Sequence, residues 1–229
     1  YVMGKKLDQF EQDFAHYCGT GYGASVSNGT TALYLVMHGM GIGPGDAVIT
    51  APNSFIASAG SIGVLGAEPV FVDVAEDMNM NPEKIEAAIT PRTRAIMPVH
   101  LTGRPAKMDE INKIARKHGL KVIEDAAQAV GARYRGKRVG GLGDAACFSL
   151  HPLKNLHAFG DGGMMVTNDQ AIYEKMLQSR NHGLRNRNEC DFWSLNCRLD
   201  EIQAAFLLVQ LPLLDGWTEE RRQRAMRYN

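Results

Sequence analysis

The sequence predicts an α/β fold in which a mostly parallel sheet is covered by helices on both faces. Three observations predict it. Short apolar runs alternate with stretches of helical period from ASVS through KVIEDA, which is the grammar of βαβ units. The chain has 229 residues, 45% of them hydrophobic, enough to bury the core of one large domain. Two later apolar runs, DAACFSL and GGMMVTN, lie close together, and so short a connection allows an antiparallel pair within the sheet.

The elements follow in order. Leu7, Phe10, Phe14 and Cys18 recur at helical spacing, and GTGYG ends that helix. The strand ASVS precedes a helix opening at Asn28 to Thr30, a glycine-proline turn and the strand AVITA. A helix near Phe55 to Leu65, the strand EPVFVDV, a helix near Pro82 to Ala88 and the strand RAIMPVH come next. The helix Met108 to His118 and the strand KVIEDA complete the alternation. Beyond Asp169 the pattern turns helical, interrupted by RNHGLRNRNECDFW, whose polarity reads as a mobile loop. DEIQAAFLLVQLPLL is an amphipathic helix capped near Asp200 and bent or ended by Pro212, and the basic run ERRQRAMR reads as a solvated helix face.

Lys plus Arg number 25 and Asp plus Glu number 25, so no net field draws the chain to nucleic acid or to an anionic membrane. A small molecule or another subunit is the expected partner. Cys18, Cys147, Cys190 and Cys197 form no CxxC pair and no zinc-type spacing with histidine, and read as thiols of a cytoplasmic protein. No run of about 18 apolar residues and no signal-peptide order is present. YVMGKK resembles the middle of a protein, so a fragment or a processed form is expected.

Ligands of open α/β sheets bind beyond the carboxyl edge of the strands, which selects the polar residues at strand ends. KVIEDAAQA closes a strand with Glu124 and Asp125, and neighbours on a strand face opposite ways, so one of the two faces a given pocket. Such a carboxylate either caps the next helix or meets a cation. SNGTT offers amides and hydroxyls where a helix begins, as a plain N-cap or as a phosphate cradle. It is no Walker A loop, and GGLGD near Gly140 precedes a strand, so no dinucleotide fingerprint is supported. Phe55 reads as a core aromatic or as a ring stacked on a flat ligand. Ser149 stands near a strand end, five positions before Lys154, and adds a second hand to the same anion. Lys154, between an apolar run and a glycine-rich turn, is either a surface lysine or an amine held away from water to attack a carbonyl. An amine for an imine, a carboxylate for a pyridinium nitrogen, a phosphate cradle and a stacking ring are together the groups that pyridoxal phosphate requires.

VSNGTTAL, APNSFIASA, VIEDAAQAVGARYRGKRVG, FSLHPLKNLHAFGDGG and NCRLDEIQAA occur in order along the whole chain. Together they resemble the DegT/DnrJ/EryC1/StrS family of pyridoxal-phosphate-dependent sugar aminotransferases. The resemblance implies the fold type I large domain over residues 1–210, three α/β/α layers around a mixed, mostly parallel seven-stranded sheet. It implies that residues 211–229 begin the connection to a small C-terminal domain, and that the protein is a homodimer with shared active sites. It assigns Lys154 to the cofactor imine, Asp125 to the ring nitrogen, Gln128 to the ring hydroxyl, Phe55 to stacking, and Gly29, Thr30 and Ser149 to the phosphate. Asn196 would reach the phosphate in the neighbouring subunit. The implied reaction moves an amino group from glutamate or glutamine to a keto group of a nucleotide-linked sugar, for surface glycans or antibiotic sugars, with KNLHAFGDGG leaning toward 3-keto sugars. His157 stands where many relatives have glycine. A sugar dehydratase of similar sequence would carry histidine in place of Lys154; an aminohydroxybenzoate-type synthase would share the cofactor residues, whereas intact Lys154, Asp125 and Gln128 speak against a non-catalytic partner subunit that binds a sugar nucleotide.

Overall fold

The computed structural model describes residues 2–228. In chain order the elements are α1 (Lys5–Cys18), β1 (Tyr22–Val26), α2 (Gly29–Gly39), β2 (Ala47–Thr50), α3 (Ile56–Val64) and β3 (Glu68–Phe71). There follow α4 (Ile85–Ala88), entered through a 3-10 turn at Pro82–Lys84, then β4 (Thr93–Met97), α5 (Met108–His118) and β5 (Lys121–Asp125). A small hairpin of β6 (Arg133–Tyr134) and β7 (Lys137–Arg138) leads to β8 (Ala145–Ser149), β9 (Gly163–Thr167) and α6 (Gln170–Ser179). A second hairpin, β10 (Leu184–Asn186) with β11 (Glu189–Cys190), precedes α7 (Glu201–Gln210) and α8 (Leu214–Met226).

Seven strands form one sheet in the order β1-β9-β8-β5-β4-β2-β3. The pairs among β3, β2, β4, β5 and β8 are parallel, and β9 runs antiparallel to both β8 and β1. The mixed, mostly parallel sheet and the antiparallel β8–β9 pair are as the sequence predicts. Helices cover both faces. Ile123 packs among residues of α2, α3 and α6, whereas Val122 lies in a cluster with α5 and Phe148 in one with α1 and α7. Phe10 and Phe14 of α1 are fully buried, and Phe14 meets Phe148 edge-on at 5.1 Å. Burial of side chains this size contributes about 1.5–3 kcal/mol each.

Chain termini of helices obey local chemistry. Gly19 and Gly119 adopt the left-handed conformation that closes α1 and α5, and Asp169 caps α6 through Ala171 and Ile172. Asp200 occupies the N-cap position of α7 but its side chain makes no capping bond. Pro212 lies in a 3-10 turn, Leu211–Leu213, after which the chain resumes as α8, whose basic end is exposed.

The stretch expected as a mobile loop is the β10–β11 hairpin instead. Its order comes from polar pairs: Asn186 Nδ2 donates to Glu189 at 2.7 Å, Asn186 Oδ1 accepts the Asn188 amide at 3.0 Å, and Arg185 clasps Asp191. The four cysteines are free thiols, three buried and Cys190 exposed. Among the described residues no helix is long and apolar enough to cross a membrane.

Candidate active site

A cleft of about 630 Å³ is lined by Gly29, Thr30, Phe55, Asp125, Gln128, Ser149 and Lys154. Every site residue singled out from the sequence lies here except Asn196, which is exposed between the second hairpin and α7.

The start of α2 forms one wall. Asn28 Oδ1 accepts the Thr31 amide at 2.9 Å, and Thr31 Oγ1 accepts the Asn28 amide at 3.2 Å, completing a capping box. Cap and cradle therefore coexist on different residues. Capping uses Asn28 and Thr31, while the amides of Gly29 and Thr30, at the first two helical positions, have no intrahelical acceptor. The helix dipole adds to their attraction for an anion. A Cβ on Gly29 would lie 2.8 Å from Ser149 Cβ, so glycine is what lets this helix start and the end of β8 approach so closely. Ser149 Oγ accepts only a long bond, 3.4 Å, from the His151 amide, and its hydroxyl proton stays available. Two amides and two hydroxyls thus fit a phosphate group.

Asp125 forms the floor. It shares the face of β5 with Ile123. Oδ2 accepts the Ser58 hydroxyl at 2.6 Å and Oδ1 accepts the Ala127 amide at 3.2 Å. Burial pushes its carboxyl up from the ordinary carboxylate range, opposed by the Ser58 and Ala127 bonds and by the nearby His100 and Lys154. A carboxylate has about four acceptor positions, so a cationic N–H still finds room. Glu124 faces the other way. Its carboxylate accepts Gly140, Leu142 and Gly143 amides at 2.8–3.1 Å and pairs with His100 Nε2 at 2.9 Å. The Ala106 amide donates to His100 Nδ1 at 3.1 Å, so Nε2 carries the proton of that imidazole. The glycine turn near Gly140 cradles a carboxylate of the protein itself.

Gln128 Oε1 accepts the Thr102 amide at 2.8 Å, which leaves Nε2 as a donor. Thr102 pays in backbone strain, with a left-handed φ of 53°. Phe55, at the N-cap position of α3, is 71% exposed, which rejects the core-aromatic reading and leaves a free ring at the cleft. Lys154 is half-buried, and its loop is fastened on several sides. Asn155 Nδ2 donates to Val130 O at 2.7 Å, Gln210 Nε2 to His157 O at 2.8 Å, and Gln203 pairs with both backbone groups of Phe159 at 2.7–2.8 Å. The ring of His157 stands edge-on to Phe206 at 6.3 Å.

The set fits a flat, phosphorylated, aldehyde-bearing ligand with a basic ring nitrogen: anion cradle, aromatic wall, buried carboxylate and amine border a single cleft. Ser54 and Ser58, which also line the cleft, were not identified from the sequence as parts of it. For Ser58 the available signal was its four-residue spacing from Ser54 in NSFIAS, which places both hydroxyls on one side of a helix start. Among the described residues no cluster of three or more His, Cys, Asp or Glu is placed to hold a metal ion.

Comparison with known proteins gives a consistent picture. The model of the DegT/DnrJ/EryC1/StrS aminotransferase family matches residues 1–229. A protein named pleiotropic regulatory protein from Geobacillus stearothermophilus is 48% identical over 100% of this chain and 62% of its own length. The dTDP-3-amino-3,4,6-trideoxy-alpha-D-glucose transaminase of Streptomyces venezuelae is 47% identical over 100% of this chain and 60% of its own. The crystal structure of S. venezuelae DesV in complex with a ketimine intermediate superposes with a TM-score of 0.96 at 47% identity, covering 99% of this chain and 62% of that one. The chain thus spans roughly three fifths of the length of these relatives.

Proposed function

The chain belongs to the DegT/DnrJ/EryC1/StrS aminotransferase family, and from that premise we propose that it is the cofactor-binding part of a pyridoxal-phosphate-dependent sugar aminotransferase. The reaction moves an amino group from glutamate or glutamine to a keto group of a nucleotide-diphosphate-linked deoxysugar, serving surface glycans such as lipopolysaccharide or antibiotic sugars. One observation carries the reading: Lys154, Asp125, Gln128, Phe55 and the Gly29–Thr30–Ser149 cradle line the same cleft.

Bound there, pyridoxal phosphate supplies an electron sink that accepts carbanion charge from the amino donor. The residues of the chain do the rest. Gly29, Thr30 and Ser149 hold the phosphate through two amides and two hydroxyls. Asp125 keeps a proton on the ring nitrogen, which the sink requires. Gln128, with Oε1 committed to Thr102, offers Nε2–H to the ring oxygen. Phe55 stacks on the ring. Lys154 Nζ would hold the aldehyde covalently in the resting protein and, when its amine is free, would take a proton from the substrate carbon and return it.

The assembly belongs to the proposal as well. Residues 1–210 form the cofactor domain and 211–229 begin the connection to a small domain; the working unit is a homodimer in the cytoplasm. Asn196, exposed and outside its own cleft, serves the phosphate of the neighbouring subunit. Support comes from α7, where Ile202 and Val209 are 76% and 67% exposed, an apolar face suited to a second copy.

The test is a complete reaction. The purified protein, loaded with pyridoxal phosphate, is given glutamate and a dTDP- or UDP-linked 3-keto sugar, and products are read by mass spectrometry. Formation of 2-oxoglutarate and an amino sugar nucleotide supports the proposal. Cofactor retention with neither product from any nucleotide keto-sugar contradicts it.

A further inference from the structure

Asp125 is buried at the end of β5, in a setting that disfavours its charge, yet the proposed chemistry needs that charge. Its titratable neighbours come from several elements, and His151 and Asp161 line the same cleft. His100, just beyond β4, donates its backbone amide to Asp125 O at 3.0 Å. Cys147 stands in register with it on β8, and burial pushes that thiol well up, so it stays neutral. Lys154 lines the same cleft from the loop after β8. Glu124, next in sequence, turns to the other face and is saturated by its own donors. Helix α2 brings no charged side chain to this wall. From α3 comes Ser58, 2% exposed, at 2.6 Å from Oδ2.

The direction of that bond is fixed by chemistry. An ionised carboxylate has no proton to give, so the Ser58 hydrogen goes to Oδ2. The Ser58 oxygen then accepts from Ser54 Oγ, 2.8 Å away. The result is a directed chain, Ser54 to Ser58 to Asp125, in which each hydroxyl polarises the next. Both serines border the cleft. Hydrogen bonds to a charged acceptor are the strong kind, and this one is short and shielded from water.

We infer that Ser58 is a positioning residue for the proposed reaction: its hydroxyl, backed by Ser54, keeps Asp125 ionised and rotationally fixed beneath the ring nitrogen of the bound cofactor. The inference rests on the proposed function for its catalytic consequence, though not for its direct readout. Ser58 touches neither the substrate nor the reacting carbon; it acts through Asp125.

The test uses the full chain labelled with ¹³C at aspartate carboxyls and titrated without cofactor, the Asp125 signal being assigned by its loss in Asp125→Asn. Ser58→Ala is expected to move the Asp125 midpoint upward, changing its protonation equilibrium roughly tenfold or more, the range of a charge-assisted hydrogen bond. Ser58→Thr restores the midpoint, and Ser54→Ala moves it the same way by less. In the loaded enzyme Ser58→Ala lowers kcat roughly tenfold or more while KM for the amino donor stays within about threefold, and the pH profile of kcat follows the displaced midpoint. A folded Ser58→Ala chain with an unmoved midpoint overturns the inference. So does a kcat loss without that shift in the pH profile, which would mark a merely structural role. Where Ser58→Ala fails to fold, Ser54→Ala decides, and an unmoved midpoint there overturns it equally. Because the midpoint is read without cofactor, an inactive protein would sink the proposed function and leave this result standing.

Discussion

Glu124 and Asp125 are neighbours on β5, both buried and on opposite faces of the sheet, and the protein treats them differently. Glu124 receives three backbone amides from the Gly140–Gly143 turn and the imidazole of His100. Asp125 receives one hydroxyl and one amide, and borders a cleft. The two glycine-containing turns repeat the contrast, since the one near Gly140 is filled by Glu124 whereas Gly29 and Thr30 keep their amides open. What the difference teaches is that one face of the strand end spends its polar groups on stability. The other leaves groups open where the proposed cofactor would supply partners.

The largest break of that contrast is at the cleft. Lys154→Ala should abolish turnover while urea unfolding stays within about 0.5 kcal/mol of the parent, because the side chain is half-buried and makes no hydrogen bond or ion pair among the described residues. Normal transamination by the folded variant would remove Lys154 from its role. Glu124→Ala should act in the opposite sense. It strands three amides and an imidazole and should lower unfolding stability by about 3 kcal/mol or more. A stable Glu124→Ala chain with lost cofactor uptake would reverse the assignment of the two faces.

Asp125→Asn should lower kcat about a hundredfold and weaken cofactor binding much less, measured by steady-state kinetics and cofactor titration. Its stability effect has a definite sign. The Asp125 carboxyl is pushed up from 3.8 in the folded chain by burial, so the native state binds its proton more tightly than the unfolded state does. That contribution is fully present below the unfolded value and is lost as pH rises through the folded one. The cofactor-free Asn variant should therefore match the parent near pH 3 and gain on it as pH increases, followed by urea unfolding. The smallest effect is expected at Gln128→Ala, roughly a tenfold loss of cofactor affinity with stability nearly unchanged, since one neutral hydrogen bond is removed at an open edge.

Much of this layout was legible in the sequence because it follows from periods and stop signals. The two-residue period of KVIEDA required Glu124 and Asp125 to diverge, and α5 spans Met108–His118 because Gly119 ends it. The β10–β11 hairpin was not legible, since pairs such as Arg185 with Asp191 set its shape, not any apolar pattern. Ser58 was hidden for another reason: its partner lies 67 residues away, and a hydroxyl early in a helix reads as surface. Phe55 left two readings open, and its exposure removes the core aromatic. Asn196 was reached through the family resemblance alone, and the role proposed for it requires a second subunit.

The central claim, that Lys154 anchors pyridoxal phosphate beside Asp125, is tested most directly by covalent trapping. The purified chain is mixed with pyridoxal phosphate, its absorbance recorded, and the complex reduced with borohydride and mapped by peptide mass spectrometry. A single phosphopyridoxyl adduct on Lys154, absent in Lys154→Ala, is the predicted result. An unmodified Lys154, or an adduct spread over other lysines, would contradict it.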